Sequence, residues 1–288
     1  MKTTQAKYLP IDSLLPFAGH PFQVRDDDEM DRLVWSILTQ GLLTPLTVRP
    51  LEGGKYEVIS GHRRLHACKR AEITEIPALI CDLDRDAAAI AVVDSNLHRE
   101  HLLPSEKAFA YKMKMEAMSH QGKRSDITLG QVVPKSNSNR TTALIGDSMG
   151  DGYKTVQRYI RLTYLLPELL QLVDEGRIAM TPAVELSYLT EPEQKILLEA
   201  MAENDCTPSL SQAVQLKKCS QAGLLSDQLI GDLMAQPKAN QAEKISFRVD
   251  DLRKYFPKGY TAAQISTEIF AALKEHQRHR KWRDRDDR

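Results

Sequence analysis

Apolar residues recur along this chain with two different periods, and the change from one to the other divides it. In the first hundred residues short alternating runs are interleaved with short helical ones. Lys7 to Ile11 reads as a strand, and from about Glu29 to Gln40 the residues Met30, Leu33, Val34, Ile37 and Leu38 form one helical stripe that Gly41 stops. The run LTVRP, the pair Gly53 and Gly54, and the run KYEVIS predict a hairpin in which Tyr56 and Val58 alternate with Glu57. Its second strand ends at Gly61. A helix follows from Arg63 to Ala71, IPALICDL reads as a buried strand, and RDAAAIAVVDSNLHRE as a helix or helix end.

After Pro104 the two-residue period fades. Ser105 to Met118 predicts a helix opened by Pro104 and Ser105 in cap-like positions, and the Ser-, Gly- and Asn-rich stretch from Ser119 to Asn139 predicts a loop. Helices resume from Thr141 to about Glu203, with breaks at Gly150 to Gly152, Pro167, Gly176 and Pro182, and again over Ser209 to Met234. Gln236 to Ala242 predicts a linker. Beyond it come a strand over Lys244 to Val249, a short helix from Asp250, and a longer helix from Thr261, where Thr-Ala-Ala-Gln forms a capping box. The expected class is α+β: a small mixed N-terminal domain over 1–103, an all-helical middle domain over 104–190, a helical extension and linker over 191–240, and a small C-terminal α/β unit over 241–288.

Composition narrows the function. A length of 288 residues suits two or three modest domains. No apolar run approaches the roughly 18 to 20 residues of a membrane span, and the opening MKTTQAKYLPIDSLL has no signal pattern, so a cytoplasmic protein without a membrane partner is expected. Cys68, Cys81, Cys206 and Cys219 lack the close pairing of zinc ribbons and read as buried reduced thiols. The 39 basic and 39 acidic side chains cancel, but unevenly. Residues 1–100 carry 12 Lys and Arg against 15 Asp and Glu, whereas residues 123–163 carry 7 against 3, which directs a search for DNA contacts to the second segment. The closing run KEHQRHRKWRDRDDR interleaves its charges and reads equally as a solvated helix end or an arm.

That basic segment contains TALIGDSMGDGYKTVQRYIR, residues 142–161. A helix-turn-helix needs a small residue where its helices cross, a glycine in the turn and apolar residues on both inner faces. Gly146, Gly150, and the set Ile145, Met149, Val156 and Ile160 meet these demands. Gly146 stands where alanine is usual, which preserves close approach and weakens the first helix by roughly 1 kcal/mol. The second helix places Lys154, Gln157, Arg158 and Arg161 on one polar face suited to phosphates and base edges. With Tyr153 and Thr155 beside them, these are the candidate DNA contacts. An ordinary helical hairpin with solvated charges is the alternative.

GHRRLHA at Gly61 to Ala67, SNLHREHLLPSEKA at Ser95 to Ala108 and the helix-turn-helix occur in the order of the ParB partition family, and each segment resembles its counterpart there. HPFQVR at His20 to Arg25, GLLTPLTVR at Gly41 to Arg49, and LLPELLQLVDEGRIAMTPAVELSYL resemble flanking segments, so that the likeness covers roughly residues 7 to 190. From the residues alone, a strand ending at Gly61 and a helix opening with two arginines make an anion site, or else the arginines pair with the acidic run Asp26 to Asp28. The resemblance implies a ParB/sulfiredoxin-like N-terminal domain that binds CTP with Mg2+. It places Gly61, His62, Arg63 and Arg64 at the triphosphate, with Ser95, Asn96 and Arg99 in the second box and Asn96 near the metal. Where the family usually carries glutamates this chain has His62 and Ser95; Asp94, one residue away, is the substitute metal ligand only if the backbone there shifts register or winds differently, and any hydrolysis is expected to be slow.

The resemblance further implies a homodimer on double-stranded DNA, since one helix-turn-helix reads only a half-site, with a ParA-type ATPase as partner and a nucleoid- or plasmid-associated location. Enzymatic activity is open between a weak CTPase and none. Two other readings stand beside partition: a local transcription regulator, and a nuclease or phosphotransferase drawing on His62, His66, His98 and His101, which no neighbouring carboxylate set supports.

Overall fold

Five short strands form a mixed sheet in the order β1-β5-β3-β4-β2: β1 (Lys7–Pro10), β2 (Leu14–Pro16), β3 (Leu46–Pro50), β4 (Tyr56–Ser60) and β5 (Glu75–Ile80). This computed structural model describes residues 6–96, 102–129, 137–236, 255–257, 259–261 and 264–275. The expected hairpin is β3 paired antiparallel with β4, Val48 opposite Val58, across a turn in which Gly53 and Gly54 take φ of +74° and +73°. β5 returns parallel to β3, and β1 closes that edge antiparallel to β5. Strand β2 was not expected from the sequence. It is three residues long, too short to show alternation, and pairs parallel with β4.

Successive residues of β4 point to opposite faces, and this divides the core in two. Val58 packs with Leu9, Leu14, Met30, Ile37, Leu46, Leu65 and Cys68, so α1 (Asp28–Gln40) and α2 (His62–Arg70) cover one face. Ile59 packs with Phe17, Phe22, Val92, Val93, Ala110 and Ala117, so α3 (Arg85–Asn96) and α4 (Pro104–Leu129) cover the other. Of the stripe expected on α1, Met30 and Ile37 are buried while Leu38 stays 62% exposed. Asp27 caps α1 by accepting from Met30 N at 2.9 Å.

Helix α4 runs to Leu129, through much of the stretch read as a loop. Only one glycine, Gly122, lies between Ser119 and Leu129, and its cost of about 1 kcal/mol does not stop a helix already nucleated. Its first turn is fixed from elsewhere: Asp174 accepts from Ser105 N at 2.9 Å and Ser105 Oγ at 2.5 Å, and buried Glu106 accepts from Leu103 N at 3.0 Å.

The segment expected as a helix-turn-helix forms α5 (Asn137–Met149) and α6 (Tyr153–Leu162), followed by α7 (Pro167–Asp174) and α8 (Met180–Leu186). Then come α9 (Glu191–Glu203), α10 (Leu210–Gln221) and α11 (Asp227–Ala235). Pro182, expected as a break, sits in the first turn of α8, where its missing N–H is no loss; the break is at Gly176, φ +74°. The run Ser209 to Met234 is two helices because Gly223, φ +67°, ends the first. Residues 1–236 form one compact unit and 237–288 a second. The expected linker beyond Gln236, the strand over 244–249 and the helix start at Asp250 lie outside the described residues. In the second unit a helix over 264–275 opens with the expected capping box: Gln264 N donates to Thr261 Oγ1 at 3.4 Å and Thr261 N to Gln264 Oε1 at 2.9 Å. All four cysteines are free, and no described helix is long and apolar enough to cross a membrane.

Candidate functional site

Gly61 joins β4 to α2 at φ +103°, a conformation that favours glycine. A Cβ there would overlap Leu46 Cδ2 in the core and come within 3.1 Å of Arg64 Nη2. The missing Cβ therefore leaves the backbone packed against both the Leu46 side chain and the Arg64 guanidinium. No side chain caps α2, which leaves its first-turn N–H groups for an anion. Arg64 is anchored, with Nη1 donating to the carbonyls of Thr44 and Pro45 at 2.5 and 2.9 Å. Arg63 reaches Glu29 at 3.1 Å and Asp27 at 3.9 Å, His66 and Arg70 both reach Asp26, and Arg70 also reaches Asp31. The acidic run does pair with this helix. These pairs are solvent-exposed, each worth about 0 to 1 kcal/mol, so a polyphosphate can displace them.

His62 turns away from the anion side. Its ring stacks on His20 with centroids 3.7 Å apart, and its Nε2 accepts from Phe17 N at 3.4 Å. Burial, with a smaller contribution from His20, pushes its pKa down to about 3 against a weaker opposing hydrogen bond at Val58. It is neutral at pH 7 and adds no charge to the site. The adjoining loop is pinned a second time by buried Glu57, which accepts from Ala18 N at 3.0 Å and from Arg49 Nε at 2.6 Å.

On the helix-turn-helix, Val156, Ile160 and Leu162 face inward, while Tyr153, Lys154, Gln157 and Arg158 are exposed and Thr155 half-buried. A Cβ at Gly146 would overlap the carbonyl oxygen of Asp151, which explains the glycine at the crossing. Gly150 takes φ +72° in the turn. Arg158 is steadied by Thr181, to whose Oγ1 it donates at 2.7 Å. Arg161 departs from the expected face. Its guanidinium donates to Ser187 O at 2.7 Å and lies over the rings of Tyr188 and Tyr164, at 4.0 and 4.5 Å from their centroids, so it binds α6 to the helices behind. The sequence spacing could not reveal this because Ser187 and Tyr188 are remote in the chain.

Residues 1–97 match the family model of the ParB N-terminal domain. The chain carries a ParB N-terminal domain. Over 199 residues it is 31% identical to a nucleoid occlusion protein of Lysinibacillus sphaericus, covering 68% of this chain and 60% of that protein. Over 191 residues it is 35% identical to the probable chromosome 1-partitioning protein ParB of Deinococcus radiodurans, covering 66% and 58%. The chain thus matches about three fifths of the length of these relatives. The C-terminally truncated ParB from Caulobacter crescentus is a structural neighbour in two complexes. With the centromeric parS site the TM-score is 0.41 at 21% identity, covering 74% of this chain and 98% of that one. With CTP-gamma-S it is 0.31 at 23%, covering 65% and 94%.

The second box begins at the end of this ParB domain. Ser95 Oγ and Asn96 Nδ2 donate to Val92 O at 3.0 and 2.9 Å, and among the described residues nothing donates to the Asn96 amide oxygen. Asp94, expected near the metal, is half-exposed and paired with α4. Its carboxylate accepts from buried Lys114 at 2.6 Å, and α3 continues without the shift of register that would turn Asp94 toward Asn96. Among the described residues no group of three His, Cys, Asp or Glu is placed to hold a metal. Arg99, His98 and His101 lie outside them. A groove of about 1180 Å³ lies elsewhere, among the Phe17 to Arg25 loop, α4 and α7, and does not include Gly61 to Arg64. The sequence reading also missed Lys107, Tyr111 and Lys114. Their spacing in EKAFAYKMK puts them on one stripe of α4, a signal hidden by apolar neighbours.

Proposed function

We propose that this chain is a DNA-binding partition or plasmid- or mobile-element-maintenance factor that loads a CTP-type nucleotide on its ParB domain. The observation that carries the reading is the exposed face of α6, Tyr153 to Arg158, held on a close helix crossing at Gly146 and following a ParB N-terminal domain. Relatives named for chromosome partitioning and nucleoid occlusion support it. In this reading the protein acts as a homodimer on double-stranded DNA, each copy reading a half-site, with a ParA-type ATPase as partner and the nucleoid or a plasmid as its location. Nucleotide phosphates sit over Gly61 against the first turn of α2, with Arg63 released from Glu29 to meet them. The Asn96 amide oxygen faces a magnesium ion, which enters with the nucleotide, since among the described residues no carboxylate cluster is preformed to hold it.

Two tests separate the halves of this proposal. Lys154→Ala and Arg158→Ala are expected to weaken DNA binding with little change in melting temperature, since both side chains are exposed. A lost phosphate contact lowers the slope of log affinity against log salt by about one, and a lost base contact relaxes preference by roughly 1 to 3 kcal/mol. Unchanged affinity in both variants rejects α6 as the reading helix. For the nucleotide, Arg63→Ala is the cleaner variant because Arg64 also supports two carbonyls. Calorimetry with the four nucleoside triphosphates should show CTP binding weakened at least tenfold by Arg63→Ala, about 1.4 kcal/mol. No heat from the wild type with any of them ends the nucleotide reading.

A further inference from the structure

Helix α4 carries Lys107, Tyr111 and Lys114 at spacings i, i+4 and i+7, which places them on one stripe. All three point at the helix-turn-helix. Tyr111, fully buried, donates its hydroxyl to Asp151 Oδ2 at 2.5 Å, and Lys107 Nζ reaches the same oxygen at 2.6 Å. Lys107 also lies over the Tyr159 ring of α6, 4.9 Å from its centroid. One turn further along, buried Lys114 donates to Ser148 Oγ near the end of α5 at 3.1 Å and to Asp94 at 2.6 Å. Asp151 stands in the turn between the helices, one residue before the α6 cap, and its N–H donates to Gly146 O at 3.0 Å.

We propose that Asp151, gripped by Lys107 and Tyr111, is the seat of the recognition helix, and that these three are positioning residues for sequence-specific DNA binding. The inference rests on the DNA-binding reading above. Apolar packing of Ile145, Val156 and Ile160 is non-directional and tolerates small rotations. Two donors converging on one carboxylate oxygen fix the direction of the turn, and base contacts need their side chains held to within about half an ångström. Burial opposes ionisation of Asp151, yet the Lys107 and Tyr111 hydrogen bonds outweigh it and hold the carboxyl below its usual range. None of the three residues belongs to the exposed face of α6. Loss of the seat should therefore reduce discrimination between sequences while leaving attraction to phosphates intact.

The experiment uses the full chain. A preferred duplex is selected from a random-sequence pool, and affinities for it and for a scrambled duplex are measured across a salt series. The proteins compared are wild type, Tyr111→Phe, Lys107→Met and Lys107→Arg, each with its melting temperature. Tyr111→Phe and Lys107→Met are expected to lower the selected-to-scrambled affinity ratio at least tenfold, with scrambled-duplex affinity and salt slope unchanged, and Lys107→Arg to restore most of the ratio. An unchanged ratio in both variants overturns the seat. So does a fall on both duplexes with a salt slope shallower by about one, which would make Lys107 a phosphate contact. If Tyr111→Phe melts below the assay temperature, the Lys107 pair decides alone, since that side chain is a quarter exposed. A wild type that enriches no duplex fails the DNA reading itself and takes the seat with it, an outcome distinct from a selective wild type with selective variants.

Discussion

Gly61→Ala is expected to cost about 3 kcal/mol of folding stability and, on the nucleotide reading proposed above, to weaken nucleotide binding. Two effects combine. At φ +103° an L side chain is strained by about 1 to 3 kcal/mol. The new Cβ also overlaps Leu46, a fully buried core residue with no room to withdraw, and overpacking of this kind costs typically 1 to 3 kcal/mol. The same methyl group crowds Arg64 Nη2 at 3.1 Å, so the guanidinium must give by a few tenths of an ångström against its bonds to Thr44 and Pro45. Gly54→Ala separates strain from overlap, because Gly54 has φ +73° and nothing within 4 Å of its added Cβ. Urea melts of both variants decide the matter: equal losses would show that the close approach at Gly61 contributes nothing beyond its backbone angle.

What the sequence revealed follows from how local each cause is. The β3–β4 hairpin, the start of α2 and the crossing at Gly146 are set by residues within a few positions of one another, so periodicity and glycine placement announce them. Strand β2 exists because β4 offers it an edge, which its own three residues cannot express. Arg161 is placed on an outward face by spacing and Asp94 near a metal by resemblance, but Ser187 and Tyr188 engage the first and Lys114 the second, and these partners come from remote segments. A face of a helix can be read from one segment. Which of its charges remain available depends on what packs alongside.

His62 shows the same distinction with a measurable consequence: stability should fall by about 2 kcal/mol between pH 6.5 and pH 4.5. In the unfolded chain this imidazole takes up a proton near pH 6.5, whereas in the folded protein burial and the stacked His20 hold its pKa at about 3. The unfolded state therefore binds the extra proton throughout that window, and stability, complete above pH 6.5, declines by about 1.4 kcal/mol per pH unit until the folded pKa is reached. Protonation would also convert Nε2, the acceptor for Phe17 N, into a donor and free the loop that Glu57 holds from its other side. The Asp26 and Asp151 carboxyls, both held below 3.8 in the folded state, keep their share of stability down to pH 4.5 and lose it only on further acidification. His62→Gln keeps an acceptor of similar reach and does not titrate. Denaturant melts at pH 7.0, 5.5 and 4.5 should give the variant a nearly flat profile where the wild type slopes. A variant that loses as much stability as the wild type across that window would show that the buried imidazole is not the source of acid lability.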